Sequence, residues 1–198
     1  MEFHFKGGKI SLQKELNSLD SFVFDFCSLL DKENIKYVIV SGYVAILFGR
    51  SRSSEDIDLI VERISKERFR KLWEVLVKNF ECLNTTNAVE AYAEYLLNGV
   101  AVRFARMGEF IPNMEFKFPK GELDQWTLQN RQYVEVLERT LPISRMELQI
   151  TFKLFLGSEK DIEDARFLYR LFRENLDSEL FEGFLHKLKI GEKAGYLS

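Results

Sequence analysis

Apolar side chains at Leu19, Phe22, Val23, Phe26 and Leu30 recur three and four positions apart, which predicts an amphipathic helix over about Leu12 to Asn34 that covers something flat. Ser11 is placed to cap it, with Glu15 and Leu16 early in its course. Tyr37 to Val40 is a short β-branched apolar run ended by Ser41-Gly42, the pattern of a buried strand. A short helix over about Tyr43 to Phe48 stops at Gly49. After the polar loop Arg50 to Glu55, the segment Asp56-Ile-Asp-Leu-Ile-Val61 alternates and then becomes wholly apolar, as a strand entering a core does. Ser65 caps a further amphipathic helix that reaches about Asn79.

Asn98-Gly99 is the strongest turn signal in the chain, because both residues tolerate the positive φ of a type I′ hairpin. It predicts that Ala91 to Leu97 pairs with Val100 to Arg106, with Glu94 directly opposite Arg103. Strand-like pieces follow at Met114 to Phe118 and Tyr133 to Leu137. Beyond Leu141-Pro142 the chain turns helical, at about Met146 to Leu156, Glu159 to Arg173 and Ser178 to Lys187. The order predicts an α/β (α+β) protein: a mixed sheet covered by helices over residues 1–143, then a helical segment over 144–198.

Composition adds bounds. Hydrophobic residues make up 46% of the 198 and charged residues 30%, so the chain is expected to fold throughout. A formal charge of -3 gives no global basic field, so an anionic ligand must be met by a local patch. Lys66, Arg68, Arg70 and Lys71 read as one solvated helix face, which leaves nucleic-acid binding with little support. Cys27 and Cys82 lack metal-site spacing and fit reduced core thiols. Met1 to Lys9 has no apolar signal core, and no run approaches the roughly 18 apolar residues of a membrane span, so a cytoplasmic protein is expected.

Asp56 and Asp58 stand two apart on a predicted strand and project from one face. At ~6 Å and an effective dielectric of ~20 two carboxylates repel by ~3 kcal/mol. A divalent cation between them reverses the sign, and Mg²⁺ takes one or two protein carboxylates together with substrate phosphates. Acidic residues also occur at strand ends for solvation alone, so context must decide. Ser41-Gly42 opens a short helix whose free N–H groups suit a phosphate. Arg50, Arg52, Ser53 and Ser54 add donors just before the acidic strand.

The segment Val38 to Val61, which joins strand, Ser41-Gly42, short helix, basic loop and Asp56-Ile-Asp58, resembles the polymerase-β-like nucleotidyltransferase superfamily. Its likeness is to minimal prokaryotic members, including those related to AbiEii-type toxins, although the usual Gly-Gly or Gly-Ser pair is here reversed. The resemblance implies Mg²⁺ on Asp56 and Asp58, and an NTP held by Ser41, Gly42, Arg50 and Ser53. It also sets Lys153 and Lys160-Asp161 on helices facing the site. It further implies a third carboxylate on a neighbouring strand, matched to Val100 to Arg106, where Arg103 stands. Glu94, expected opposite, is either a displaced third ligand or the partner of Arg103 in a cross-strand ion pair, and Arg103 is counted among the candidate nucleotide-binding residues. The implied activity is transfer of a nucleoside monophosphate to a hydroxyl of an unknown acceptor, which could be protein, RNA or a small molecule. The alternative is a nucleotide-binding or partner-binding module without catalysis, one half of a toxin–antitoxin pair, and Arg103 favours it.

Overall fold

A computed structural model describes residues 2–6 and 8–197; Met1 and Ser198, the outer ends of the two expected segments, and Gly7 lie outside the described residues. Among the described residues, strands β1 (Glu2–Lys6), β2 (Lys9–Gln13), β3 (Tyr37–Val40), β4 (Asp56–Val61), β5 (Phe80–Cys82), β6 (Val102–Arg106), β7 (Asn113–Lys117), β8 (Gln132–Val136) and β9 (Arg139–Ile143) form one sheet. They lie side by side in the order β1-β2-β8-β9-β3-β4-β7-β6-β5. Pairing is mixed: β3 and β4 are antiparallel, β4 and β7 parallel, β7 and β6 antiparallel. The α/β class expected from the order of elements is what the chain adopts.

The helices are α1 (Ser18–Lys32), α2 (Gly42–Leu47), α3 (Lys66–Leu76), α4 (Ala88–Glu90), α5 (Glu122–Gln129), α6 (Met146–Leu156), α7 (Glu159–Phe172) and α8 (Ser178–Lys187). Alternation along β4 turns Ile57, Leu59 and Val61 to one face, where all three are fully buried. Phe22 and Phe26 of α1 and Phe69 of α3 join the same cluster, with Phe26 stacked edge-on to Phe80 at 5.1 Å. Each such side chain withdrawn from water stabilises the fold by ~1.5–3 kcal/mol. The other face of β4 carries Asp56, Asp58 and Ile60, and α5 packs there against β3 and β4. No helix among the described residues is long and apolar enough to cross a membrane.

Two local expectations are corrected. The first helix starts at Ser18 instead of Leu12, because Ile10 and Leu12 alternate inward along β2, which pairs in parallel with β8. Asn17 is the cap: its side chain accepts from Asp20 N at 2.8 Å, and the Asp20 carboxylate accepts from Asn17 N at 3.0 Å. The hairpin does not form either. Residues 91–96 continue α4 as π-helical turns, and Asn98-Gly99 ends that helix. Asn98 Nδ2 donates to the carbonyls of Ala93 and Glu94, and only Gly99, at φ 71°, takes positive φ. The freedom that suits Gly to a hairpin equally suits a helix C-terminus.

Candidate active site

β7, not β6, is the neighbour of β4 on the acidic side. In that parallel register Asp56 pairs with Asn113, Asp58 with Glu115 and Ile60 with Lys117. Directly paired residues share a face, and adjacent strands lie ~4.8 Å apart. Asp56, Asp58 and Glu115 are therefore three carboxylates on one patch of sheet. Each is held by a partner. Asn113 Nδ2 donates to Asp56 Oδ1 at 2.7 Å, and Lys117 Nζ donates to Asp58 Oδ1 at 2.6 Å. Arg103, one strand further out, reaches Glu115 Oε1 from both Nε (3.1 Å) and Nη2 (3.0 Å). Asn113 is itself buried, so its amide fixes Asp56 from below.

The expected pairing of Glu94 with Arg103 is thereby corrected: Glu94 is exposed on a helix, and the acid opposite Arg103 is Glu115. The strand Val100 to Arg106, expected beside β4, is separated from it by β7, through a pairing nothing local in the sequence announces. Glu115 could have been found from the alternation Asn113, Glu115, Lys117 against Met114, Phe116, Phe118. That pattern puts an acid on the polar face of a strand otherwise facing the core.

Ser41 sits at φ 64°, ψ -136°, a conformation costly for any residue but glycine. Gln149 of α6 holds it there. Its Oε1 accepts from Ser41 N at 3.1 Å and its Nε2 donates to Ser41 O at 2.7 Å, while Ser144 Oγ donates to the same Oε1 at 2.7 Å. With Gln149 buried, these bonds pass in little competing water. Glycine at the next position leaves room for Arg52: a Cβ on Gly42 would lie 2.0 Å from Arg52 Nη2 and would push the guanidinium off its place beside Asp164. The Arg52 guanidinium lies across the start of α2.

Arg50, Arg52 and Lys153 converge on Asp164, which has no exposed surface. Arg50 Nε lies 3.0 Å from Asp164 Oδ1, and Arg52 Nη2 and Lys153 Nζ lie 3.1 and 2.8 Å from Oδ2. Oδ2 receives no well-aligned hydrogen bond, but two cations at ion-pair distance compensate its charge. Arg50 also pairs with Glu163, and Lys153 with Asp161 at 3.1 Å. For Asp161, burial works to raise the pKa, yet hydrogen bonds from Ser158 and Lys153 and the Lys153 charge outweigh it and hold the group below the usual carboxylate range. The basic loop is thus anchored to α7 by a buried ion cluster. Ser53 is exposed, and its carbonyl accepts from Arg52 Nη1 at 3.3 Å.

A cleft of about 370 Å³ opens between the sheet face and helices α5 and α6. Asp58, Lys117 and Lys120 line its polar side; Ile60, Leu148 and Phe152 line its apolar side. Ser41 and Lys153 reach its wall, although the Lys153 ammonium is directed at Asp161 and Asp164. The structure brings Asp58, Ser41 and Lys153 to one cavity, with Asp56 on the same strand face. Arg50 stands behind, on the ion cluster, and Glu94 stands apart.

Carboxylate oxygens are hard donors of the kind Mg²⁺ prefers. Among the described residues no three acidic, His or Cys side chains converge closely enough to hold a metal ion. Asp56, Asp58 and Glu115 turn instead towards Asn113, Lys117 and Arg103. Two carboxylates on one strand face, Asp56 and Asp58, are nonetheless the donor set that Mg²⁺ takes beside substrate phosphates, and Lys117, the cation paired with Asp58, is a long, partly exposed side chain.

No protein-family model and no curated protein sequence matches the chain. Among solved structures it is similar to an antigenic nucleotidyltransferase-like protein from Paracoccidioides brasiliensis. The identity is 18%, the TM-score 0.55, and the match covers 89% of this chain and 90% of that one. It is also similar to ANT(2″)-Ia in complex with adenylyl-2″-tobramycin, with 14% identity and a TM-score of 0.54 over 86% of this chain and 99% of that one. At these identities the likeness establishes the fold, which is nucleotidyltransferase-like.

Proposed function

We propose that the protein binds a nucleoside triphosphate in the cleft beside Asp58 and transfers a nucleoside monophosphate to a hydroxyl of an acceptor. The observation that carries this reading is the placement of Asp56, Asp58 and Glu115 on adjacent strands of one sheet face, with Asp58 lining a cleft that has an apolar wall. Asp56 and Asp58 would hold Mg²⁺, which supplies charge neutralisation on the transferring phosphoryl group. Glu115 stands where a base could take the proton of the acceptor hydroxyl, and Arg103 fixes its orientation. Lys117 and Lys120 offer ammonium groups to phosphate oxygens, and Phe152 offers a flat apolar surface to a base. That a protein of the same fold was solved with an adenylylated small molecule supports a small-molecule acceptor here.

The ion pairs of Lys117 with Asp58 and Arg103 with Glu115 favour a second reading, in which the site binds nucleotide and does not turn it over. A kinship with AbiEii-type toxins, and so a cognate partner protein, belongs to that reading. Calorimetry with ATP and other NTPs in Mg²⁺ tests nucleotide binding, with Asp58→Asn and Glu115→Gln as variants. The transferase reading expects Asp58→Asn to abolish binding of the metal-nucleotide. Glu115→Gln should keep binding and lose transfer of label from α-labelled NTP to an acceptor. Absence of binding by the intact protein removes both readings; binding without label transfer to any fraction of a cell extract leaves the second.

A further inference from the structure

The carboxylate patch carries its own counter-cations. Three carboxylates, Asp56, Asp58 and Glu115, share the face with the ammonium of Lys117 and the guanidinium of Arg103, so one negative charge is left over. Lys117 is the more consequential of the two cations. Its Nζ sits 2.6 Å from Asp58 Oδ1, on the cleft side, and both side chains keep 23% of their surface exposed. An ammonium at that distance occupies one of the coordination directions of the carboxylate that a metal ion would need. Arg103 lies on the outer flank of Glu115, half exposed, and leaves the cleft-facing side of the patch to Lys117.

We infer that Lys117 is an internal competitor of the divalent cation at Asp58, which keeps the empty patch poor at capturing free metal and makes metal uptake depend on the nucleotide. The inference rests on the nucleotide-binding reading above. Lys117 leaves Asp58 only if its charge finds another anion, and a triphosphate in the same cleft supplies one: the ammonium swings from the carboxylate to a phosphate oxygen. The exchange conserves the number of ion pairs. Without nucleotide, a cation arriving at Asp58 must displace Lys117 into water and meets a patch of nearly balanced charge. Removing the lysine removes the competitor, so it should strengthen metal binding alone and weaken the dependence of metal on nucleotide, and by linkage the effect of metal on nucleotide affinity falls by the same factor.

The test measures free Mn²⁺ by electron paramagnetic resonance in titrations of the full chain, without nucleotide, for wild type, Lys117→Met and Lys117→Gln. Circular dichroism checks that each variant is folded; Met keeps the length of the apolar stem, and Gln keeps a polar end. Both variants are expected to bind Mn²⁺ about tenfold more tightly than wild type, a change of ~1.4 kcal/mol. Asp58→Asn added to Lys117→Met should abolish the gain. Repeating the titrations with a non-hydrolysable ATP analogue should show a larger nucleotide-induced rise in Mn²⁺ affinity for wild type than for either variant. Equal Mn²⁺ affinity in wild type and both variants overturns the inference, as does a gain that survives Asp58→Asn. Failure of the analogue to bind wild type defeats the nucleotide reading and, with it, the exchange, whereas the nucleotide-free comparison still reports on the competition at Asp58.

Discussion

Replacing Asp164 by Asn tests whether the basic loop ahead of Asp56 is held by charge. Asp164 is fully buried and is shared by Arg50, Arg52 and Lys153, whose own side chain is only 3% exposed. Removing one member of a buried ion cluster leaves charge unpaired in a poorly solvated place, at a typical cost of ~3–5 kcal/mol. Two features pull the value to the lower end: Lys153 retains Asp161, and Arg50, with Glu163 still beside it, can turn to water. The expected loss is therefore ~3 kcal/mol, and for a chain of this size ~2–4 °C per kcal/mol gives a melting point lower by ~6–12 °C. Urea titration followed by circular dichroism measures it, with an unchanged slope showing that the unfolded state is not responsible. Among the described residues Arg52 has no other carboxylate partner, so the paired replacement of Arg52 by Met and Asp164 by Leu removes the stranded charge with its counterion, leaves Lys153 on Asp161 and Arg50 on Glu163, and should recover most of the loss. A loss under ~1 kcal/mol for Asp164→Asn, or no recovery in the pair, would refute the claim that buried charge anchors this loop.

Ser41→Gly should stabilise the protein by ~1 kcal/mol, since glycine adopts the strained turn without a Cβ penalty; thermal unfolding checks it, and a drop in stability would show that the Ser41 side chain makes a contribution larger than the strain. Asp161 has a folded-state pKa below its ordinary value of 3.8, so its contribution is present above that value and lost as pH falls through the lower, folded one. The stability difference between wild type and Asp161→Asn in urea titrations should accordingly shrink as the pH falls below the ordinary value of 3.8, and a difference that widens on acidification would contradict the assigned direction.

What could be read from the sequence depended on how local the cause was. β4 announced itself because Ile57, Leu59 and Val61 alternate against Asp56 and Asp58, and the Ser65 cap bonds Arg68 N as its type requires. Tyr37–Val40 and the three C-terminal helices were equally legible, since propensity, period and caps agree there. The boundary at Leu12 is not legible from spacing, because a strand of five residues beside a long helix adds only two apolar positions to the helical count. Asn98-Gly99 misled because one backbone property serves two structures. Glu115 escaped for a different reason: its strand was visible, but its place beside β4 is set by a parallel pairing between segments 57 residues apart in register. Likewise the partners of Arg50 and Lys153 lie on another helix, and no spacing rule connects residue 50 to residue 164.

The bond between Ser41 and Gln149 spans 108 positions, and it has a consequence for how the protein comes into being on the ribosome. Synthesis runs from the N-terminus at ~5–20 residues per second, and early segments can begin to fold before later ones emerge. β4, β6 and β7 can assemble the three carboxylates once residue 117 has left the exit tunnel. The turn at Ser41 and the loop at Arg50 and Arg52 must wait for Gln149 and then Asp164. At that rate Gln149 and Asp164, the partners of Ser41, Arg50 and Arg52, are made several seconds after the strands that carry Asp56, Asp58 and Glu115 together with Lys117 and Arg103.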